Sequence, residues 1–379
     1  MSVPSAPVRS RHARSTRTRS AKRGFTLVEL LVVIAIIGML MGLLTVTVWK
    51  AIEAAKEGAV VVEIDQLAQA VQAYKEQSAE YPPSMADAIP ANRAIRFMQH
   101  LRRVFPNSAY GVRAADYVNL NARVQSFYRV LLPSGQRVSL DLDRLDQAEA
   151  LVFWIGGFPT PANVMGNTSG TNSTPAPGPV ANRRLFGFNL DADNPIKRST
   201  GLQEGVDPLQ TRSKPKYDFV DTRLTDNDGD GWWEYSPVSL KTGSLNAPFV
   251  YFDADTYASA TGSAIGYPRQ GDANAPAMYQ TWGISTPMAE YFDPTGTAPT
   301  RWKNSDSFQI LTAGLDGVYS DIIGSNPANG QRITIFPTGY TYMAPNYSSP
   351  PRSYSDPELD NLTSLARQRL DGARTEAVQ

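Results

Sequence analysis

The chain has 379 residues, with 36 basic and 36 acidic side chains, two histidines and no cysteine. Lack of cysteine excludes a disulfide framework and a thiol nucleophile, and so few histidines leave no multi-histidine metal centre. The charge balance is uneven: residues 1–24 carry seven basic side chains (Arg9, Arg11, Arg14, Arg17, Arg19, Lys22 and Arg23) and no acid, so the rest holds 29 basic against 36 acidic residues, a net charge of −7. An acidic remainder argues against a broad basic face for nucleic acid.

Next comes an apolar run. From Phe25 to Trp49 the only charged side chain is Glu29. At about 1.5 Å per residue, a helix of this length spans the roughly 30 Å hydrocarbon core of a bilayer. The basic arm before it predicts a cytoplasmic N-terminus and a translocated C-terminal part. A carboxylate within a membrane segment is costly, which marks Glu29 as a functional residue rather than part of a plain anchor. Gly38 and Gly42 form a small-xxx-small pair, read either as tolerated membrane glycines or as a close helix contact.

Beyond Trp49, Val60, Ile64, Leu67, Val71 and Tyr74 recur at alternating spacings of four and three, one face of a helix. Lys56, Glu63, Gln66, Lys75 and Glu76 are expected largely off that face. Pro82-Pro83 supplies the stop, and no proline interrupts Phe25 to Tyr81. The spacing therefore predicts one helix of about 55 residues, half apolar and half amphipathic.

Gly24-Phe25-Thr26-Leu27-Val28-Glu29 resembles the processing site of type IV pilins and type II secretion pseudopilins. The resemblance implies that a membrane-embedded prepilin peptidase cuts between Gly24 and Phe25 and methylates the new amine of Phe25. It also gives Glu29 an assembly role, pairing with the Phe25 amine of a neighbouring subunit and so setting filament register. The stretch AYKEQSAEYPPSMAD is similar to the end of the long helix in the major pseudopilin, where a Tyr-Pro follows it. The source implied is bacterial, so the sequons at Asn167, Asn172, Asn346 and Asn361 are discounted as glycosylation sites.

Residues 91–150 mix patterns. IRFMQHLRRVF reads as a short helix with Arg102 and Arg103 on a solvated face and His100 at the surface; YVNLNARVQSFYRVLL is helix or strand; LDRLDQAEALVFWIGG is a helix running into an apolar segment. Phe153, Trp154, Ile155 and Phe158 are assigned to the core. Residues 159–181 are a Pro/Gly/Ser/Thr/Asn loop. From 182 to 360, RRLFGFNL, KYDFV, GWWEY, PFVYFDA, SFQILTAG and RITIFP read as short strands between turns, with a short helix expected in DPELDNLTSLARQRL.

Two constellations carry metal chemistry. Asp226, Asp228, Asp230 and Glu234 stand in a D-x-D-x-D-G-x-x-E run, where alternate carboxylates converge on a hard cation such as Ca²⁺ or form an acidic surface turn. The pattern departs from an EF-hand loop at position twelve, which is Pro237, so Glu234 is the substitute acid. FQILTAGLDG, ending at Asp316-Gly317, resembles the major pseudopilin's strand and Ca²⁺ loop. That likeness implies a partner from Asp360, or else Asp321; a metal-free Asp-Gly β-turn is the other reading.

The fold class expected is α+β and pilin-like: a long N-terminal helix packed on a small antiparallel sheet, enlarged by a mixed insertion. The expected segments are a cleaved leader (1–24), a membrane and filament-core half-helix (25–49), an amphipathic half-helix (50–81) and a periplasmic globular domain (82–379) with the insertion at about 91–250. The expected role is a non-enzymatic type II secretion pseudopilus subunit in the inner membrane. Its partners would be other pseudopilins, the prepilin peptidase and the inner-membrane assembly platform. A type IV pilus subunit, and a membrane-anchored calcium-binding adhesive module, are the alternatives. Intact-mass analysis of membrane-extracted protein checks the processing step: the mature form lacks residues 1–24 and carries one added methyl, and a dominant species retaining them overturns it.

Overall fold

The protein is described from a computed structural model, over residues 25–87, 89–106, 110–127, 129–131, 136–159, 185–186, 215–238, 247–255, 266–268, 281–283, 285–292, 299–320, 332–336, 341–343, 356–366 and 368–378. Two compact units are present, residues 1–52 and 53–379. The leader, the loop at 159–181 beyond Pro159, and Asp321 lie outside the described residues.

Helix α1 runs Leu27–Ser78 without a break. Its end comes three residues before Tyr81, where the prolines predict it, and the cause is local. The Ser78 hydroxyl bonds back to the Tyr74 carbonyl (2.7 Å) and forward to that of Glu80 (2.9 Å), while Ala79 turns into the left-handed region at φ 67°. Val60, Ile64, Leu67, Val71 and Tyr74 are buried as their spacing requires. Each such aliphatic contributes roughly 1.5–3 kcal/mol by leaving water.

Glu63 is a correction. It lies on the buried face, where its carboxylate accepts from Tyr235 (2.7 Å), Tyr217 (3.1 Å) and Arg223 (2.5 Å). A buried acid is tolerable here because its oxygens are met by donors, one of them charged.

The chain leaving α1 is pinned to the core by its own carbonyls. Pro82 O accepts from Tyr251 (2.9 Å) and Pro83 O from Trp154 Nε1 (3.0 Å), while Ser84 donates twice to Asp253. Helices α2 (Pro90–Val104), α3 (Ala114–Phe127) and α4 (Gln147–Gly156) follow. The ambiguous YVNLNARVQSFYRVLL resolves into α3 and then strand β1 (Arg129–Leu131), which forms a hairpin with β2 (Arg137–Ser139). Every residue of α4 is buried, including Phe153, Trp154 and Ile155 as expected, and the helix lies against later strands.

The remaining strands are short. β3 (Phe158–Pro159) pairs with β4 (Leu185–Phe186), and β5 (Leu224–Thr225) with β6 (Glu234–Tyr235). A three-stranded antiparallel sheet has β10 (Phe308–Thr312) between β7 (Val250–Asp253) and β13 (Leu362–Thr363). A four-stranded sheet runs β12 (Thr341–Met343), β11 (Arg332–Ile335), β8 (Met288–Phe292), β9 (Pro299–Trp302), with β11 and β8 parallel. Gln309 of β10 joins the two sheets: its side chain accepts from Met288 N (2.7 Å) and donates to Met288 O (2.9 Å), as a neighbouring strand would.

KYDFV forms no strand, because Tyr217 and Phe219 anchor edge-on to Tyr235 instead of joining a ladder. The C-terminal segment splits into α5 (Asp356–Leu359), β13 and α6 (Leu370–Val378) rather than one helix. One core cluster joins the buried face of α1 to α2, α3, α4, β7 and β10; a second collects Phe252, Trp282, Met288, Trp302 and Leu311.

His100 also departs from expectation. It is buried, its Nδ1 donating to Glu80 (2.6 Å) and its Nε2 accepting from Tyr74 OH (2.8 Å), with Trp154 edge-on. Its place on the stripe of Ala94, Phe97, Met98 and Leu101 was readable from spacing. Glu80 also pairs with the exposed Arg103, and Asp253 acts on the ring from farther off, but burial dominates and pulls the imidazole down to about 3. The native ring is therefore neutral near pH 5, whereas an unfolded one titrates near 6.5. Its contribution to stability is complete above pH 6.5 and is lost on acidification, because only the unfolded chain takes the proton. Between pH 6.5 and 4.5 this amounts to about 2 kcal/mol. Thermal melts across that range are expected to fall more steeply for the wild type than for His100→Gln; parallel curves would contradict the assignment.

Candidate functional site

The first site is the start of α1. Thr26 and Glu29 form a reciprocal cap: the Thr26 amide (2.8 Å) and hydroxyl (2.9 Å) donate to Glu29 Oε2, and the Glu29 amide donates to Thr26 Oγ1 (3.2 Å). A Thr-x-x-Glu spacing is the sequence signature of such a capping box, which the reading of the motif did not use. Glu29 thus has a local reason to be present. From Phe25 to Trp49 the large apolar side chains are exposed, Phe25 at 82% and Trp49 at 66%. Thr45 and Thr47 turn their hydroxyls back onto the Met41 and Leu44 carbonyls, which hides their polarity from an apolar surrounding. Gly24 lies outside the described residues.

The second site is the β5–β6 hairpin loop. Asp226 organises it, accepting at Oδ1 from Gly229 N (2.7 Å) and Asp230 N (3.1 Å) and at Oδ2 from Gly231 N (3.1 Å). Gly229 (φ 79°) and Gly231 (φ 96°) supply the left-handed backbone that these bonds need. Trp232 anchors the loop, packed on Phe153 and Phe158 with Nε1 on the Asp141 carbonyl (2.9 Å). Glu234 accepts from Asn227 N (2.9 Å) at Oε2 and from Tyr267 OH (3.0 Å) at Oε1.

Facing this loop is the N-terminus of α4. Asp146 caps it, accepting from Ala148 N (2.9 Å) and Glu149 N (3.1 Å), and Glu149 Oε2 accepts from Asp146 N (2.9 Å) in return. Glu149, Asp228 and Asp230 each bring a carboxylate oxygen to within 4.8 Å of the others. The sequence reading missed Glu149 because it lies on a different element. Burial, reinforced by Asp228 and other acidic neighbours, pushes Glu149, Asp230 and Glu234 well above the usual carboxylate range and Asp226 up to about 7.

The third site joins β10 to the C-terminal segment. Asp316 and Asp360 do meet: Asp316 N donates to Asp360 Oδ2 (3.2 Å), and Val318 N to Asp316 Oδ1 (2.8 Å). Asn361 holds the pair in place, accepting from Gly314 N (3.1 Å) and donating to Tyr319 O (2.8 Å). Asp360 Oδ1 is buried without a hydrogen-bond partner, and burial beside Asp316 pushes that carboxyl up to about 6.

Compared with known families, residues 19–45 match the prokaryotic N-terminal methylation motif. That match precedes and enters a long helix, the one among the described residues that is apolar enough to cross a membrane. The motif and the long apolar helix behind it fit the type IV pilin and pseudopilin family. No curated protein and no solved structure matches it. Its α+β pilin-like architecture is a long N-terminal helix followed by a globular part with small sheets, and the helix with its motif fits a membrane-anchored subunit. The motif implies processing by a prepilin peptidase and polymerisation with pilin-type subunits.

The hairpin loop's dependence on its glycines can be measured. A Cβ at Gly231 would come within 2.8 Å of Val138 Cγ2 and 2.9 Å of Leu140 Cδ2, on a backbone that already disfavours it. Gly317 shares the left-handed backbone (φ 72°) but faces open space. Gly231→Ala is expected to cost about 2–4 kcal/mol and Gly317→Ala about 1 kcal/mol. Denaturant unfolding of the two variants checks this, and equal losses would refute the packing around the loop.

Proposed function

We propose that this chain is a structural subunit of a type II secretion pseudopilus. Prepilin peptidase cuts between Gly24 and Phe25 and methylates the Phe25 amine. The processed chain then joins other pseudopilins at the inner-membrane assembly platform, its globular part periplasmic and its N-terminus cytoplasmic until incorporation. Growth of the filament from the membrane drives export of folded cargo across the outer membrane. The observation that supports this reading best is the methylation motif followed by a helix half whose apolar side chains are all exposed. Such a surface requires lipid before assembly and other helices after it.

Secretion rather than pilus function is favoured by two local likenesses to the major pseudopilin: Tyr81-Pro82 after the long helix, and the Asp316–Asp360 pair beyond β10. Ca²⁺ is proposed at that pair. The donors suit it, since both are carboxylates and Asp360 keeps a buried oxygen with no partner. Bound there, the ion would fasten the C-terminal segment to the end of β10.

A second reading draws on the Thr26–Glu29 cap: a calcium-binding adhesive module that stays anchored and never polymerises. There Glu29 serves only to start the helix. The two readings part at Glu29→Gln, which keeps an oxygen for the Thr26 donors but has no charge for a Phe25 amine. Membrane insertion is expected to be unchanged. Incorporation into sheared or cross-linked filaments is expected to collapse, since a buried unpaired amine costs several kcal/mol. Wild-type filament yield and secretion by Glu29→Gln would leave the anchor reading.

A further inference from the structure

The hairpin loop and the start of α4 come from opposite ends of the segment between residues 149 and 228, yet their acids converge. Three carboxylates in one place are not by themselves a binding site; the state of their oxygens is more informative. Glu149 is 1% exposed and Asp230 2% exposed. In each, one oxygen is occupied by a backbone amide: Glu149 Oε2 by Asp146 N and Asp230 Oδ1 by Trp232 N (2.9 Å). The other oxygen of each, Glu149 Oε1 and Asp230 Oδ2, is buried with no hydrogen-bond partner. Asn227 Oδ1, in the same loop, is a third buried oxygen in that condition.

A buried polar atom without a partner costs about 1–3 kcal/mol, and more if charged. Two acids that each hold such an oxygen, brought together with a third, form a cage that is unfavourable when empty. The charges acting most on Glu149 are all negative, those of Asp230, Asp146, Asp228 and Glu234. What the cage lacks is a cation.

We propose that Glu149, Asp228 and Asp230 hold one hard divalent cation of the Ca²⁺ class, which clips the start of α4 to the β5–β6 loop. Asp226 and Glu234, two of the four acids that the spacing singled out, are not ligands in this arrangement. Both oxygens of each already accept hydrogen bonds, and their part is to shape the loop and brace it against Tyr267. An all-oxygen, all-carboxylate set selects a hard ion. Two oxygens on one ion can lie no farther apart than twice the bond length, roughly 4.6–5.2 Å for Ca²⁺ and roughly 4.0–4.2 Å for Mg²⁺. The 4.8 Å envelope of these three fits Ca²⁺ as it stands.

The proposal is independent of the pseudopilus reading, because it concerns the folded globular part and not assembly. Its test uses the full chain in detergent with Asp316→Asn as the background, so that the pair near the C-terminus does not contribute. Metal is removed with chelator, and Ca²⁺ or Mg²⁺ is returned while the melting temperature is followed. With Ca²⁺ about a hundredfold above Kd the melt should rise by roughly 5–10 °C, and Mg²⁺ at equal concentration should do much less. Tb³⁺ luminescence excited through tryptophan gives a second readout, since Trp232 and Trp233 follow Asp230 after one glycine.

Glu149→Gln keeps the oxygen that accepts from Asp146 N and removes the charge. In chelator it should melt at or above its parent, and it should lose the Ca²⁺ increment and most of the Tb³⁺ signal. A role confined to capping α4 predicts instead a melt near the parent's in chelator and an undiminished Ca²⁺ increment, since Gln serves the cap as well. Asp228→Asn, at a partly exposed position, repeats the measurement should Glu149→Gln not fold. A Ca²⁺ increment that is absent from the parent, or undiminished in both variants, would overturn the proposal, as would an equal response to Mg²⁺.

Discussion

A helix that must satisfy two different surroundings governs this protein. In the part of α1 that belongs to the globular unit, a stripe from Val60 to Tyr74 is sealed against α2, α4 and the three-stranded sheet. In the part before Ile52 the apolar side chains point outward on all sides. Water would penalise that surface at roughly 25 cal/mol per Å². The first half is therefore stable only in lipid or against other helices, and the second only against its own domain. Even the threonines conform, their hydroxyls returned to the helix backbone.

The globular unit repeats one device, using buried polar groups to hold segments that carry little regular structure. The residues after α1 have no strand or helix of their own, and their carbonyls and amides are met by Tyr251, Trp154 and Asp253. Gln309 replaces a missing stretch of ladder between the sheets. Such contacts matter more for specificity than for gross stability: a satisfied polar contact adds little over water, but a wrong register leaves it unsatisfied at a higher cost. The acids around Glu149 depart from this rule, since they are buried without enough donors.

How much could be read from the sequence follows from how local each cause is. The long helix was legible because its spacing of four and three is written within one segment. Its early end was not, because a serine hydroxyl and a left-handed alanine outcompeted the proline signal. Glu63 and His100 were both placed outside, on the reasoning that charged or titratable residues prefer water. Each has partners from distant segments, Arg223 with two tyrosines in one case and Tyr74 with Glu80 in the other, and no spacing rule announces those. Short strands were found where β-branched and aromatic residues clustered, as in β7, β10 and β11; KYDFV had the composition but used its rings as anchors. The aspartate loop was visible as a motif, but which of its oxygens remain free depends on backbone amides that only the folded loop presents.

The Glu63 contact also bears on how α1 can carry load. An aliphatic stripe is nearly periodic: advancing by one turn would set Ile64 near the place of Val60, and Val71 near that of Leu67, with little change in size. Such a surface alone would let the helix creep along its groove under axial pull. Glu63 interrupts the repeat. One turn on, Gln66 or Leu67 would face Arg223, Tyr217 and Tyr235, and the carboxylate would have left all three of its donors at once. The buried acid thus works as a detent, giving the helix a single seat in its groove instead of a series of equivalent ones.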